Sequence, residues 1–173
     1  PYAASAFEYL KHGAITVAGV NDVEEFNDMI TAMRLLGVDA THVDQMLRVV
    51  AGILHNGNIQ FEEDDKGEAR IVDEAPLNIA AELLGCETLQ LSLMQRTVTS
   101  AGRSSIYKVK LNVTECCNAR DALAKAVYDQ LFSWIVSQCN ETLSVSADEE
   151  PDYFIGILDI FGFEIFAINS FEQ

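Results

Sequence analysis

Apolar residues recur at helical spacing through most of the chain. Phe26, Met29, Ile30, Met33 and Leu36 share one face of the segment from Asn21 to Gly37. Asn21 and Glu24 have capping-box spacing and Gly37 supplies a stop, so a helix is predicted there. Its methionines are read as core filler. Val43, Met46, Leu47, Val50, Ile53 and Leu54 predict a second helix from Thr41 to Leu54, ended by His55-Asn56-Gly57. His55 is read as structural, favoured by the helix dipole. Leu77 to Leu84, closed by Gly85, and Glu87 to Gln95 predict two more. The longest helix is expected from Thr114 to Thr142, with Thr114 as its cap. Ala119, Ala122, Leu123, Ala126, Val127, Leu131, Trp134 and Ile135 form its apolar side.

Alternation marks the strands. Tyr107, Val109, Leu111 and Val113 alternate with Lys108, Lys110 and Asn112, which predicts a strand with one apolar and one polar face. Ile59 and Phe61 suggest a brief strand. Ile71-Val72 pairs back on it across the charged turn Glu62 to Glu68, read as solvated surface. Phe7 to Leu10 is a short helical or extended turn broken by Gly13, and Ile15 to Val17 an extended pair. Ser144 to Pro151 is a polar connector. Tyr153 to Leu158 is apolar and uncharged, as in a strand buried on both faces. Asn169 to Glu172 again has capping-box spacing, so a helix should start near Ser170.

Composition narrows the classes. The 173 residues suit one domain or part of a larger one, and 49% hydrophobic content can fill a core. A net charge of −16 argues against nucleic acid, whose phosphates would repel it. No apolar run reaches the ~18 residues of a membrane span, and the start carries no signal-peptide pattern. Cys86, Cys116, Cys117 and Cys139 lack metal-ligand spacing and read as reduced, partly buried thiols of a cytosolic protein. The chain begins with Pro and stops at Gln173 inside an expected first helical turn, which reads as a fragment of a longer chain.

One segment reverses the charge. Thr88 to Thr114 holds no Asp or Glu, yet carries Arg96, Arg103, Lys108 and Lys110, four of the eleven basic residues. Spacing alone leaves two readings open: an ordinary surface hairpin, or a basic loop meeting an acidic partner. Near the end, Asp159 falls where the last strand should stop, and Gly162 follows three residues later. A strand-end carboxylate can hold the water shell of Mg²⁺, and a glycine lets its N–H approach a phosphate. Asp-x-x-Gly alone fits a plain strand and turn better.

The longer string changes that balance. Leu158-Asp-Ile-Phe-Gly-Phe-Glu164, followed by Asn169-Ser-Phe-Glu-Gln173, closely resembles the switch II segment and relay-helix start of the myosin motor. Ala119-Arg-Asp-Ala-Leu-Ala-Lys-Ala126 matches a second landmark of that family. Ala51-Gly-Ile-Leu-His55 and Gly57-Asn-Ile59 fit its upper 50-kDa region. Asn56 departs, since the family usually has Leu there; a polar residue would loosen the helix end or mark a divergent class. The resemblance assigns residues 1–95 to the helical upper 50-kDa region and 96–113 to the actin-contacting loop. It assigns 114–143 to the long helix and 151–173 to the switch II strand and relay start.

The resemblance implies an α/β fold of the P-loop NTPase type, with this fragment mainly helical and a few strands. It implies an actin-based motor using ATP and Mg²⁺ in the cytoplasmic actin cytoskeleton. Asp159 would act on Mg²⁺ through water, the Gly162 N–H would sense the γ-phosphate, and Glu164 would pair with a switch I arginine. Arg96, Arg103, Lys108 and Lys110 would contact the actin filament. Many myosins carry an acidic or phosphorylatable residue sixteen positions before the Asp of the second landmark; counted from Asp121 this is Ser105. Light chains or calmodulin would bind only through other parts of the parent. No Gly-x-x-x-x-Gly-Lys-Ser/Thr loop or switch I string occurs, so the fragment alone is expected to be inactive. The competing reading is a non-enzymatic actin-binding or scaffold protein derived from a motor. A kinesin-like or GTPase switch would fit Asp-x-x-Gly but not the other strings.

Overall fold

In a computed structural model the described residues are 3–99, 106–143 and 155–156. The chain divides into two units, Pro1–Leu143 and Ser144–Gln173. In the second, only Ile155 and Gly156 are described. Ile155, expected in a strand buried on both faces, is exposed and in no regular element among the described residues. The remaining expectations beyond Leu143 fall outside the described residues.

The first unit is helical with two small hairpins; the helices and the first hairpin match the pattern, while the strand Gln95–Thr99 of the second hairpin was not expected. After two short 3₁₀ turns, Ala4–Ala6 and Glu8–Leu10, come α1 (Asp22–Leu35) and α2 (Ala40–Gly57). The hairpin β1 (Phe61–Glu63) and β2 (Ala69–Ile71) follows, then α3 (Glu74–Leu84) and α4 (Leu89–Met94). A second antiparallel hairpin, β3 (Gln95–Thr99) and β4 (Ile106–Lys110), leads into α5 (Val113–Leu143).

Helix ends follow local chemistry. Asn21, Asp39 and Asp73 each accept a backbone N–H through the side chain at the starts of α1, α2 and α3. Gly85 closes α3 in the left-handed region at φ 64°. The cap of α5 is not Thr114. Asn112 accepts from the Glu115 N–H at 2.9 Å, and Glu115 accepts from the Asn112 N–H at 3.0 Å, a complete capping box. This box starts the helix at Val113, so β4 stops at Lys110 rather than running on to Val113.

Other boundaries moved for tertiary reasons. α2 continues through His55, Asn56 and Gly57, because the N-terminal turns cover its last turn. α3 begins one turn before Leu77, with Pro76 tolerated in the first turn. α4 is shorter than expected, since Gln95 already pairs with Lys110. Ile15 and Val17 form no strand and are exposed.

Ile59, Leu77, Ala80, Leu89 and Leu93 make the central buried cluster, with Phe61, Ile71, Cys86, Ala119 and Leu123 against it. α2 packs most extensively on α3 and α5. The apolar face of α1 is not a core face among the described residues. Phe26 and Met29 are exposed and Met33 is half-buried, because α1 packs only lightly on α2 and at its C-terminal end meets Thr142 of α5, which donates to Leu36 O. On α5, Cys116 and Ala124 are buried, whereas Ala122 and Ala126 from the expected face are exposed. The four cysteines are free thiols.

Candidate functional site

Two places carry organised polar chemistry. The first is the seam where the N-terminal turns, the end of α2 and the start of α5 meet. Asn58 accepts the Glu8 N–H through Oδ1 and donates through Nδ2 to Ala6 O, both at 2.8 Å. Phe7 meets the His55 ring edge-on at 5.3 Å. Tyr9 donates its O–H to Asp121 Oδ1 at 2.7 Å, and Arg120 Nε donates to the same oxygen at 2.8 Å. Arg120 Nη1 reaches Ile59 O at 2.8 Å.

Burial, then the Asp121 carboxylate, pushes the Tyr9 hydroxyl up to about 12, so it stays a donor. Burial works against Asp121, yet the Arg120 and Tyr9 hydrogen bonds and the Arg120 charge hold it below the usual carboxylate range. Burial lowers His55, which keeps it neutral against Phe7.

Asn56 does not loosen the end of α2. It is almost fully buried, and its Nδ2 donates to Arg120 O at 3.0 Å, tying α2 to α5. Its Oδ1 has no partner among the described residues. The tie therefore carries the desolvation cost of one unpaired acceptor. Arg120 and Asp121 lie within the Ala119–Ala126 string. No local signal pointed to Tyr9 or Ile59 as their partners, which are distant in sequence.

Gly57 is where the seam is tightest. A Cβ there would lie 2.7 Å from Tyr9 Cδ2 and Cε2 and 2.9 Å from Cζ. The ring cannot simply retreat, because its hydroxyl is held by Asp121. Gly57→Ala should cost about 1–3 kcal/mol of overpacking, only partly offset by the better helix propensity of Ala. Amide exchange in the intact parent should show protection falling at Phe7, Glu8 and Leu10. Unchanged protection would mean that the ring moves freely.

The second place is the β3–β4 hairpin. Gln95 pairs with Lys110, Arg96 with Val109, Thr97 with Lys108 and Val98 with Tyr107. Alternation then separates the cations. Lys108 and Lys110 share a face with Gln95 and Thr97, while Arg96 shares the other with Val98, Tyr107 and Val109. The apolar row is not a buried face: Tyr107 is 57% exposed, and Val98 and Val109 are also exposed. Lys110 is held by Glu68 of the first hairpin, which raises it above the ordinary ammonium range. Arg96 and Lys108 form no ion pair among the described residues. Sequence reading grouped these basic residues but missed Glu68, which it placed in a solvated turn.

Arg103, Ser105, Asp159, Gly162 and Glu164 lie outside the described residues. Among the described residues no three His, Cys, Asp or Glu side chains gather to hold a metal, and no helix is long and apolar enough to cross a membrane.

Comparison with known proteins completes the picture. The family model described as myosin head (motor domain) matches residues 2–173. Myosin-1 of Emericella nidulans is 44% identical over 162 residues, covering 91% of this chain and 13% of that protein. Myosin IB heavy chain of Dictyostelium discoideum is 43% identical over 166 residues, covering 91% and 15%. Myosin-5 of Candida albicans is 44% identical over 164 residues, covering 92% and 12%. The chain thus spans only 12% to 15% of the length of these curated relatives. With nearly every residue matched and the switch-like string inside the match, this mainly helical chain belongs to the myosin head (motor domain) family.

Proposed function

We propose that the chain is part of an actin-based motor whose parent hydrolyses Mg-ATP and couples hydrolysis to filament binding and release. The family match across residues 2–173 carries this reading. The parent's motor would have the P-loop NTPase type of α/β fold, to which these residues contribute helices, two hairpins and the switch II string. The fragment alone is inactive, because it holds no phosphate-binding Gly-Lys-Ser/Thr loop.

Each role follows from residue chemistry. Asp159 would hold Mg²⁺ through its water shell, as a hard cation that keeps several waters requires. When bound, Mg²⁺ supplies charge neutralisation on the phosphates. Gly162 offers its N–H to the γ-phosphate, and Glu164 pairs with an arginine elsewhere in the parent to exclude bulk water. Arg96, Arg103, Lys108 and Lys110 mark the filament-facing hairpin. Arg96, on the face of exposed Tyr107 and Val98, and Lys108, on the other face, are its available cations among the described residues. An acidic filament surface fits that charge.

Ser105 is the regulatory position in this reading. Its loop has no acidic residue, and a phosphate there adds roughly −1.5 to −2 charges near Arg103 and Lys108. It would order the loop through charge-assisted hydrogen bonds to those cations. Lys110 is no longer the natural third partner, since it already holds Glu68.

One experiment tests both levels. The intact parent, its Ser105→Ala and Ser105→Glu variants and kinase-treated wild type are compared for MgATPase at fixed actin and low salt. Actin activation in any of them supports the motor, and a higher rate in Ser105→Glu and the treated protein than in Ser105→Ala supports the switch. Equal rates leave Ser105 an ordinary hydroxyl. Filament binding with no hydrolysis in any sample favours the scaffold reading instead.

A further inference from the structure

The two hairpins are joined by an ion pair between Lys110, at the end of β4, and Glu68, just before β2. Both partners are held in place from their own sides. The Lys66 and Glu68 N–H groups both donate to Asp64 Oδ1 at 2.9 Å. The Asp64 N–H donates to Glu68 O at 2.8 Å, and Gly67 turns the chain at φ 74°. The turn is thus a closed ring that sets the Glu68 backbone. On the other side Lys110 lies in the ladder opposite Gln95, and the next residue, buried Leu111, donates its N–H to Met94 O at 2.9 Å. Arg70, the other cation of the first hairpin, is taken by Glu62 across the strands and does not compete for Glu68.

We propose that Glu68 is an internal counter-ion that withholds Lys110 from the acidic partner of the β3–β4 hairpin. The first hairpin thereby sets how fast the second one docks. This rests on the reading of the β3–β4 hairpin as the filament-binding element. Two effects act together. An acidic surface must displace Glu68 to use Lys110, and it meets the Glu68 charge as it approaches. The pair is exposed, so it opens easily and its influence is graded and salt-sensitive rather than a hard block. Lys108, on the same strand face and without an ion pair among the described residues, is the natural reference.

The test uses the intact parent motor and actin filaments, with the association rate read at low and high salt. Glu68→Gln should speed association about threefold at low salt, an effect of exposed-pair size. The gain should vanish at high salt. Lys110→Gln alone should slow association less than Lys108→Gln does, and the gain from Glu68→Gln should be clearly smaller in the Lys110→Gln background than in wild type; that non-additivity is the signature of the pair. Glu63→Gln removes the same charge from the same hairpin without touching Lys110, and should accelerate association less. Equal acceleration by Glu63→Gln would reduce the effect to net charge and overturn the clamp. So would Lys110→Gln slowing association as much as Lys108→Gln, or an unchanged rate in Glu68→Gln while Lys108→Gln is slow. If Lys108→Gln itself associates at the wild-type rate, the hairpin is not the docking element, and both readings fall.

Discussion

Arg120→Met should loosen the seam between the N-terminal turns, the end of α2 and the start of α5 by about 2–4 kcal/mol. Two losses add. Ile59 is fully buried, and its carbonyl loses the Arg120 Nη1 donor, leaving a desolvated acceptor unpaired. Asp121 loses the guanidinium that holds its carboxyl low, and keeps only the Tyr9 hydroxyl on that oxygen. The Arg120 side chain is 13% exposed, so water compensates little at the Ile59 carbonyl, whereas Asp121, 39% exposed, is partly rehydrated and contributes the smaller share. Arg120→Lys should recover only part, because an ammonium cannot reproduce the fork that reaches Asp121 and Ile59 together. Amide exchange of the intact parent is the measurement, read at residues 6–10 and at the end of α2. Wild-type protection in Arg120→Met would show that backbone packing alone holds the seam. Full recovery in Arg120→Lys would show that charge matters and the fork does not.

Gly162→Ala in the intact parent should leave ATP binding largely in place and slow hydrolysis about 10²–10³-fold, the usual loss for one oxyanion donor. The argument is chemical and comes from sequence. Gly162 stands three residues after Asp159 in the switch-like string, and in the proposed reading its backbone N–H would donate to a phosphate oxygen. An added Cβ pushes that backbone away while leaving the phosphate-binding parts elsewhere untouched. Single-turnover hydrolysis separates the chemical step from product release. Wild-type speed in that measurement would remove Gly162 from the site. Equal losses in binding and hydrolysis would make it a folding residue instead.

The division between what was legible in sequence and what was not follows interaction range. Residues near one another in the chain determine helices. Asn21, Gly85 and the periodic apolar residues of α2 and α3 act over one or two turns, so these helices were readable to within a turn. The two faces of β4 were readable too, since alternation from Tyr107 to Lys110 already split apolar from basic positions, but its partner strand β3 was not. The family strings were readable because they are contiguous.

Competition and long-range pairing were not readable. Asn112 outcompeted Thr114 for the cap because Glu115 completes its box, a choice both sequences of contacts allowed. His55-Asn56-Gly57 reads as a helix stop, yet α2 runs through it because Phe7 and Tyr9, some fifty residues earlier, cover that turn. The pairing of Tyr9 with Asp121 spans 112 residues and that of Glu68 with Lys110 spans 42. Nothing local specifies such partners; they are set by which groups the packed elements bring within reach of one another. The sequence by itself determined the helices, the first hairpin, the acidic balance and the motor family. Tertiary structure alone decided which charges are used up internally and which stay available, because an ion pair depends on distance in space and not on separation along the chain.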